Sequence, residues 1–321
     1  MVRTMLCAGV VSAALLFPAC AGAQTYPAKA LRLIIPFGPG GTNDILGRLV
    51  ALRLGEALGQ QVIADNRGGA GGSIGMDLAA KSPPDGYTIA IGHVGTLAVN
   101  KTLYRKLAYD PVKSFEHITL IAKLPNLMAV NPTVPAKTVK ELIALAKSRP
   151  GKLTYGSGGT GGAGHLATEY FKLLTKSDMV HVPYRSTGLA VIDCVAGQTD
   201  LVFAGVPAIV PHTRAGKLRA MGMSGLTRLS ILPDIPTIAE TVPGYEATQW
   251  YGIVAPASTP KPILNALHAG LVKAVNHPAF REALANDGAD PVTTTPEEFA
   301  AYVRKEIARW APVIQKAGLV Q

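Results

Sequence analysis

Two stretches of this sequence place a glycine-rich turn directly before the start of a helix, a pairing that can hold an anion without any charged side chain. The first runs Phe37-Gly38-Pro39-Gly40-Gly41-Thr42-Asn43-Asp44, and the second spans Tyr155 to His165. Glycine lets the backbone turn tightly and approach a ligand closely. The first turn of a helix leaves N–H groups unpaired and carries a partial positive charge. Together they suit a carboxylate or a phosphate. The candidate cradle is the backbone of Gly40, Gly41, Thr42 and Asn43 on one side. On the other it is Ser157, Gly158, Gly159, Gly161 and Gly162. The side chains of Thr42, Ser157, His165 and Tyr184 are auxiliaries. Phe37, His93 and Thr96 complete the set, together with Asp44 and Asp200, each of which can meet a ligand or cap backbone groups.

Other chemistries fit less well. The first loop lacks the Gly-Lys-Ser/Thr ending of a P-loop. The second contains G-x-G-x-x-G at Gly159, Gly161 and Gly164, after a strand and before a helix. That leaves an NADP-linked oxidoreductase as the alternative, with Arg185 standing near where an acidic residue would contact a ribose. One serine, Ser73, lies in a G-x-S-x-G run at Gly71 to Gly75, but that run sits in a glycine-rich loop with no histidine nearby in sequence, and the seven histidines show no H-E-x-x-H spacing. The reading is therefore a binding protein with no catalytic residue, no metal and no cofactor.

The elements that must position these loops alternate. Leu31 to Phe37 is an apolar run of strand length, followed by a helical pattern from Asn43 to Leu58. Strands are expected at Gln61–Ala64 and Tyr87–Ile91, with a helix near Ile74 to Lys81 between them. The pattern then repeats. Strands are expected at Asn126–Val130, Lys152–Tyr155, Met179–Pro183, Leu201–Phe203 and Lys217–Met223. Helices are expected at Thr138–Lys147, His165–Leu174 and Leu189–Val195. This order predicts an α/β fold of two domains, each a mostly parallel sheet flanked by helices. In such sheets ligands bind beyond the C-terminal ends of the strands. The extended segment Tyr245 to Ala255 returns the chain to the first half, which makes two crossings and a hinge. Domain 1 is then 24–124 plus 249–321, and domain 2 is 125–248. The tail reads as helices at Pro262–Val275, Pro278–Ala285 and Pro296–Lys316, the last with a Thr295/Glu298 capping box.

The N-terminal segment and the bulk charge fit an exported protein. Arg3, the apolar run Cys7 to Phe17 and Ala21-Gly22-Ala23 read as a secretory signal peptide at 1–23. The run is too short to span a bilayer and Pro18 interrupts it. Removing it lowers the net charge from +10 to +9 by the loss of Arg3, and leaves Cys194 as the single thiol. Basic residues are scattered and aromatics are only 6%, which argues against nucleic acid as a partner. A diffuse positive potential suits small anions instead.

The chain also resembles a known family. Pro36 to Asp44 is similar to the opening motif of the tripartite tricarboxylate transporter receptors, the Bug-type periplasmic binding proteins. The likeness continues through Asp65-Asn66-Arg67-Gly68-Gly69-Ala70-Gly71-Gly72, Pro84-Asp85-Gly86-Tyr87-Thr88 and Tyr109-Asp110-Pro111-Val112. It goes on through Pro150 to Tyr155, His181-Val182-Pro183-Tyr184-Arg185, Ala215 to Ala220, Trp250-Tyr251-Gly252 and Thr295 to Phe299. The resemblance implies a Venus-flytrap fold of type II-like form and a carboxylate held largely by backbone N–H groups and waters. It further implies a periplasmic monomer that delivers its ligand to separate membrane permease subunits. Three positions depart from the family pattern: Gly162 replaces Ser or Thr, Ser186 replaces Gly, and Leu189 replaces Pro. A third possibility, the effector domain of a regulator, is disfavoured by the leader and by the lack of a helix-turn-helix.

Overall fold

The structure, a computed structural model, describes residues 26–286 and 288–321; the leader read at 1–23, with Cys7 and Cys20, lies outside them. The described chain opens on β1 (Leu31–Ile35), whose side chains are buried on both faces apart from Arg32. That burial is why the segment reads as a continuous apolar run. α1 (Thr42–Leu58) follows and ends on Gly59, whose left-handed φ of 68° suits glycine. β2 (Val62–Asn66), α2 (Ser73–Ala80) and β3 (Thr88–His93) complete a βαβαβ unit, with β1 parallel to both β2 and β3. A π-helical turn at Gly95–Val99 and the short α3 (Asn100–Leu103) lead on to β4.

β4 (Phe115–Val130) is sixteen residues long and belongs to both halves. Its first part, Phe115 to Pro125, pairs antiparallel with β9 (Thr248–Pro256). Its last part, Asn126 to Val130, pairs with β7 (Leu201–Gly205), and on its other side with β8 (Arg219–Met223). The sequence reading expects a strand only over Asn126–Val130. In the structure Pro125 stands opposite Thr248 at the changeover between partners, where a missing N–H is tolerated.

The second half repeats the first. α4 (Val139–Ser148), β5 (Thr154–Ser157), α5 (Ala163–Thr175), β6 (Val180–Pro183) and α6 (Thr187–Val195) follow in turn. β5 lies parallel to β6 and β7. α7 (Val206–Arg214) was not predicted, since Pro207 and Pro211 look like breakers. Pro207 sits in the first turn, where no N–H is needed, and Pro211 is carried inside the helix. The strand order through both halves is β2-β1-β3-β9-β4-β7-β5-β6, with β10 (Asp290–Pro291) and β8 also on β4.

The C-terminal segment returns to the first half. α8 (Lys261–Val275) packs on α1, burying Leu267 and Leu271 in the same cluster as Leu46, Val50 and Leu54. α9 (Pro278–Asn286) follows. α10 (Pro296–Lys316) carries the expected box: Glu298 N donates to Thr295 Oγ1 at 3.2 Å, and Thr295 N donates to Glu298 Oε2 at 2.9 Å. The indole N–H groups of Trp250 and Trp310 both donate to buried Glu306, at 2.9 and 3.2 Å. That shared carboxylate ties α10 to β9 beside the changeover. Cys194 is buried, and burial pushes its thiol up to about 12, so it is inert at neutral pH. Among the described residues no helix is long and apolar enough to cross a membrane.

Candidate functional site

Three helix N-termini meet at one cavity between the halves. α1, α5 and α7 each follow directly on a strand, β1, β5 and β7, and each begins at the C-terminal edge of the sheet. Their N-cap residues are Gly41, Gly162 and Gly205, and none has a side-chain cap. Of the other helices, α4, α6 and α10 are capped by Thr138, Ser186 and Thr295, each accepting an N–H from the first turn, whereas α2, α3 and α8 have no side-chain cap. Capping satisfies orphan donors and is worth about 1 kcal/mol. Leaving three termini uncapped at one point keeps their donors free for something else.

The cavity is lined by Thr42 and Asn43 from α1, by Gly162, Ala163 and Gly164 from α5, and by Ala204 and Gly205 ahead of α7. Phe37, His93, Gly158, Thr187, Phe203, Gln249 and Tyr251 close it. No lysine, arginine, aspartate or glutamate is among them. Thr42 Oγ1 and Asn43 Oδ1 are buried without a hydrogen-bond partner among the described residues. An unpaired buried polar group costs about 1–3 kcal/mol; the Thr42 hydroxyl can donate to an anion, whereas Asn43 Oδ1 only accepts and suits a water or a ligand hydroxyl. The cavity volume is about 10 Å³, room for about one water molecule. A larger ligand therefore enters only if the halves part.

His93 supplies a neutral donor. Thr96 N donates to His93 Nδ1 at 3.1 Å, which leaves the ring proton on Nε2. Burial pushes the imidazole down to about 3, so it stays uncharged at neutral pH. Its ring stands edge-on to Phe37, centroids 5.0 Å apart. The floor is polar and belongs to the changeover strands. Tyr251 donates its hydroxyl proton to Gln249, which in turn donates to Asn126 on β4. Asn126 Nδ2 donates to Ala247 O at 3.0 Å.

The candidate residues divide into three groups. Phe37, Thr42, Asn43, His93, Gly158 and Gly162 line the cavity, with Gly41 at its edge against Thr187. A second group holds the loops in shape. Asp44 does not face the cavity: its Oδ2 accepts from Gly40 N at 3.1 Å and its Oδ1 from Asn66. Burial alone would raise the Asp44 pKa, but bonds from Arg48, Asn66 and Gly40 hold it below the usual range. The N–H of Gly40 is thereby used up. The N–H of Gly159 goes to Ser157 Oγ, that of Gly161 to His165 Nδ1, and that of Gly162 to Gly159 O. Ser157 Oγ lies 2.7 Å from His181 Nε2, and the His165 and His181 rings stack at 4.1 Å. Ser157 and His165 thus sit beneath the second loop, and Thr96 beneath His93. Free donors come from the helix first turns rather than from the loop glycines.

The third group lies elsewhere. Tyr184 and Gly159 face a neighbouring outer cavity. Asp200 is at the opposite, N-terminal end of β7, where Oδ2 accepts from Thr154 N and Oγ1 at 2.7 and 3.0 Å. It ties β7 to β5 and is too far along the strand to reach the site. The glycine fingerprint also has a local purpose: a Cβ on Gly164 would come within 2.1 Å of Phe203 O, so glycine there lets α5 pack on β7. Sequence reasoning missed Thr187, Phe203, Gly205, Gln249 and Tyr251. Gly205 was hidden with its helix, and Gln249 and Tyr251 sat in the segment read only as a return.

Comparison with known proteins agrees with this architecture. The family model described as "Tripartite tricarboxylate transporter family receptor" matches residues 46–319. Protein BugT of Bordetella pertussis is 34% identical over 320 residues, covering 99% of this chain and 98% of its own. The R. palustris protein Rpa4515, solved with adipate, is 38% identical with a TM-score of 0.88, covering 91% of this chain and 98% of its own. MatC from Rhodopseudomonas palustris, solved with malate, is 32% identical with a TM-score of 0.85, covering 90% and 100%. With that match over most of its length, and with the two-domain periplasmic-binding-protein fold those structures share, the chain belongs to the tripartite tricarboxylate transporter receptor family, the Bug-type solute receptors.

Proposed function

We propose that this protein is an extracytoplasmic receptor that captures a small carboxylate between its halves and delivers it to the membrane permease subunits of a tripartite transporter. The observation that carries the reading is the meeting of three uncapped helix N-termini at a cavity without charged side chains. The relatives solved with adipate and malate support the carboxylate class. The leader read at 1–23 supports export to the periplasm, and the protein acts there as a monomer without catalysis or cofactor. In this reading 24–124 plus 249–321 closes against 125–248, with β4 and β9 as the hinge.

Energetics set how the anion is held. A Kd of about 1 μM requires roughly −8 kcal/mol. One helix terminus contributes up to about 2 kcal/mol, usually less. Hydrogen bonds to a charged group add about 1.5–3 kcal/mol each. Donors from the first turns of α1, α5 and α7, with His93 Nε2 and Thr42 Oγ1 nearby, are enough in number to reach that total.

A thermal-shift screen with a panel of mono-, di- and tricarboxylates and NADPH tests the class. At 100 times Kd the true ligand stabilises the fold by about 2.7 kcal/mol. A shift with a carboxylate and none with NADPH is the expected result. Stabilisation by NADPH alone would replace the receptor with the oxidoreductase reading.

A further inference from the structure

The central cavity has a neighbour. A second cavity of about 400 Å³ opens at the mouth of the cleft, again between the halves. Its walls include Gly71 and Tyr104 from the first half and Gly159, Tyr184 and Arg185 from the second. Phe37 and Gly158 line both cavities. Phe37 is only 5% exposed and its ring lies against Gly72, where an added Cβ would come within 3.0 Å of Cε2. A partition one aromatic ring thick therefore separates the small anion site from a much larger space.

The chemistry of the two spaces differs. The inner one has donors and no charged side chain. The outer one is walled by glycines and by Phe37, Tyr104 and Tyr184, with Thr160 and Gln321 adding polar groups and Arg185 the single charged side chain. Arg185 is exposed and takes part in no ion pair among the described residues. Several basic side chains of the first half are engaged: Arg48 pairs with Asp44, Arg67 with Asp65 and Lys101 with Asp110. A free guanidinium is a fork that fits a carboxylate with two parallel hydrogen bonds.

Building on the carboxylate-receptor reading, we propose that the outer cavity is a second subsite, which takes the apolar chain and distal carboxylate of an α,ω-dicarboxylic acid. The first carboxylate sits on the helix N-termini. The methylene chain passes the Phe37 ring and lies against Tyr104 and Tyr184. The second carboxylate meets Arg185. Short diacids fill only the inner site, so the preferred ligand is one long enough to span both.

The test is isothermal titration of the full mature chain with succinate, adipate and suberate, each beside its monoacid, butyrate, hexanoate or octanoate. For the wild-type protein, affinity should rise with diacid length, and each longer diacid should bind more tightly than its monoacid. Arg185→Gln should weaken the best diacid by about tenfold, as expected for losing charge-assisted hydrogen bonds at an accessible site. The monoacids should stay within about twofold. Arg185→Lys, which keeps the charge and loses the fork, should fall between them. If the diacids show no advantage over monoacids, or Arg185→Gln leaves that advantage intact, the second subsite is wrong while the receptor reading stands. If no carboxylate binds the wild-type protein at all, the receptor reading fails and takes the subsite with it.

Discussion

Gly205→Val is expected to weaken carboxylate binding at least ~100-fold, a loss of about 2.7 kcal/mol or more, while the unliganded protein remains folded. Gly205 has φ −58° and ψ 146°, a backbone conformation open to any residue, so the substitution brings no local strain. The obstacle is the facing half. A Cβ at this position would stand 2.4 Å from Thr42 Oγ1 and 3.1 Å from Thr42 Cγ2. Leu124 Cδ1 is 3.1 Å away as well, and because Thr42 is β-branched a turn of its side chain brings another γ atom into the same space. Relief therefore comes chiefly from moving α1 away from α7, which separates two of the three helix termini that hold the anion. A similar contact occurs farther out, where a Cβ on Gly71 would come within 2.2 Å of Thr160 O. Titration calorimetry reads the affinity, and small-angle scattering reads the radius of gyration with and without ligand. The wild-type protein should contract on binding and Gly205→Val should not. Tight binding with normal contraction in the variant would show that closure at this point is not needed.

Stability should fall sharply as pH drops from 7 to 5.5, by roughly 3–5 kcal/mol. Three buried histidines and the half-buried His181 set this window. Burial pushes His93 down to about 3 and His117 to about 4, the latter aided by repulsion from Arg304. Burial also pushes His165 to about 4, with Lys172 adding repulsion. It pushes His181 to about 3, where repulsion from His165 and Lys172 outweighs attraction to Glu169. In the unfolded chain each titrates near 6.5. Below that pH the unfolded state takes up protons that the folded state refuses, so stability is lost as pH falls from 6.5 toward the folded values. For a chain of this size the corresponding fall in Tm is roughly 5–15 °C. His117 lies away from the site, its Nε2 buried without a partner among the described residues and its ring edge-on to Phe299. His117→Leu should flatten the pH dependence by about a quarter and leave ligand binding alone. A Tm that stays level down to pH 5 would mean these imidazoles are open to solvent.

The parts of this protein legible in its sequence are those where local and tertiary preferences agree. α10 begins and ends where its proline, capping box and apolar period place it. β1 and the turn into α1 show themselves by an apolar run followed by glycines. What stayed hidden depends on context. α7 carries Pro207 and Pro211, and only the finished fold shows that the first is harmless and the second tolerated. The first part of β4 went unread, and the missing N–H of Pro125 falls at the point where the strand changes partners. Asp200 was expected to meet a ligand or cap backbone groups, and only the pairing of β7 with β5 shows that its carboxylate is taken by Thr154. The loop glycines of the second turn point to an anion site, but most of their N–H groups serve the loop itself. The donors left over belong to the helices, and counting them requires knowing who bonds to whom. The resemblance to the receptor family came from motifs spread across the whole chain, and four of them, Pro36 to Asp44, Asp65 to Gly72, His181 to Arg185 and Trp250 to Gly252, contain residues that line the two cavities.

The measurement that bears most directly on the anion site is a crystal structure with the best dicarboxylate from the titration series. One carboxylate should lie within about 3.2 Å of first-turn N–H groups from at least two of α1, α5 and α7, with His93 Nε2 and Thr42 Oγ1 in reach and no lysine or arginine touching it. A ligand whose only charged contact is with Arg185, leaving the cavity between Thr42, Gly162 and Gly205 without an anion, would contradict the account.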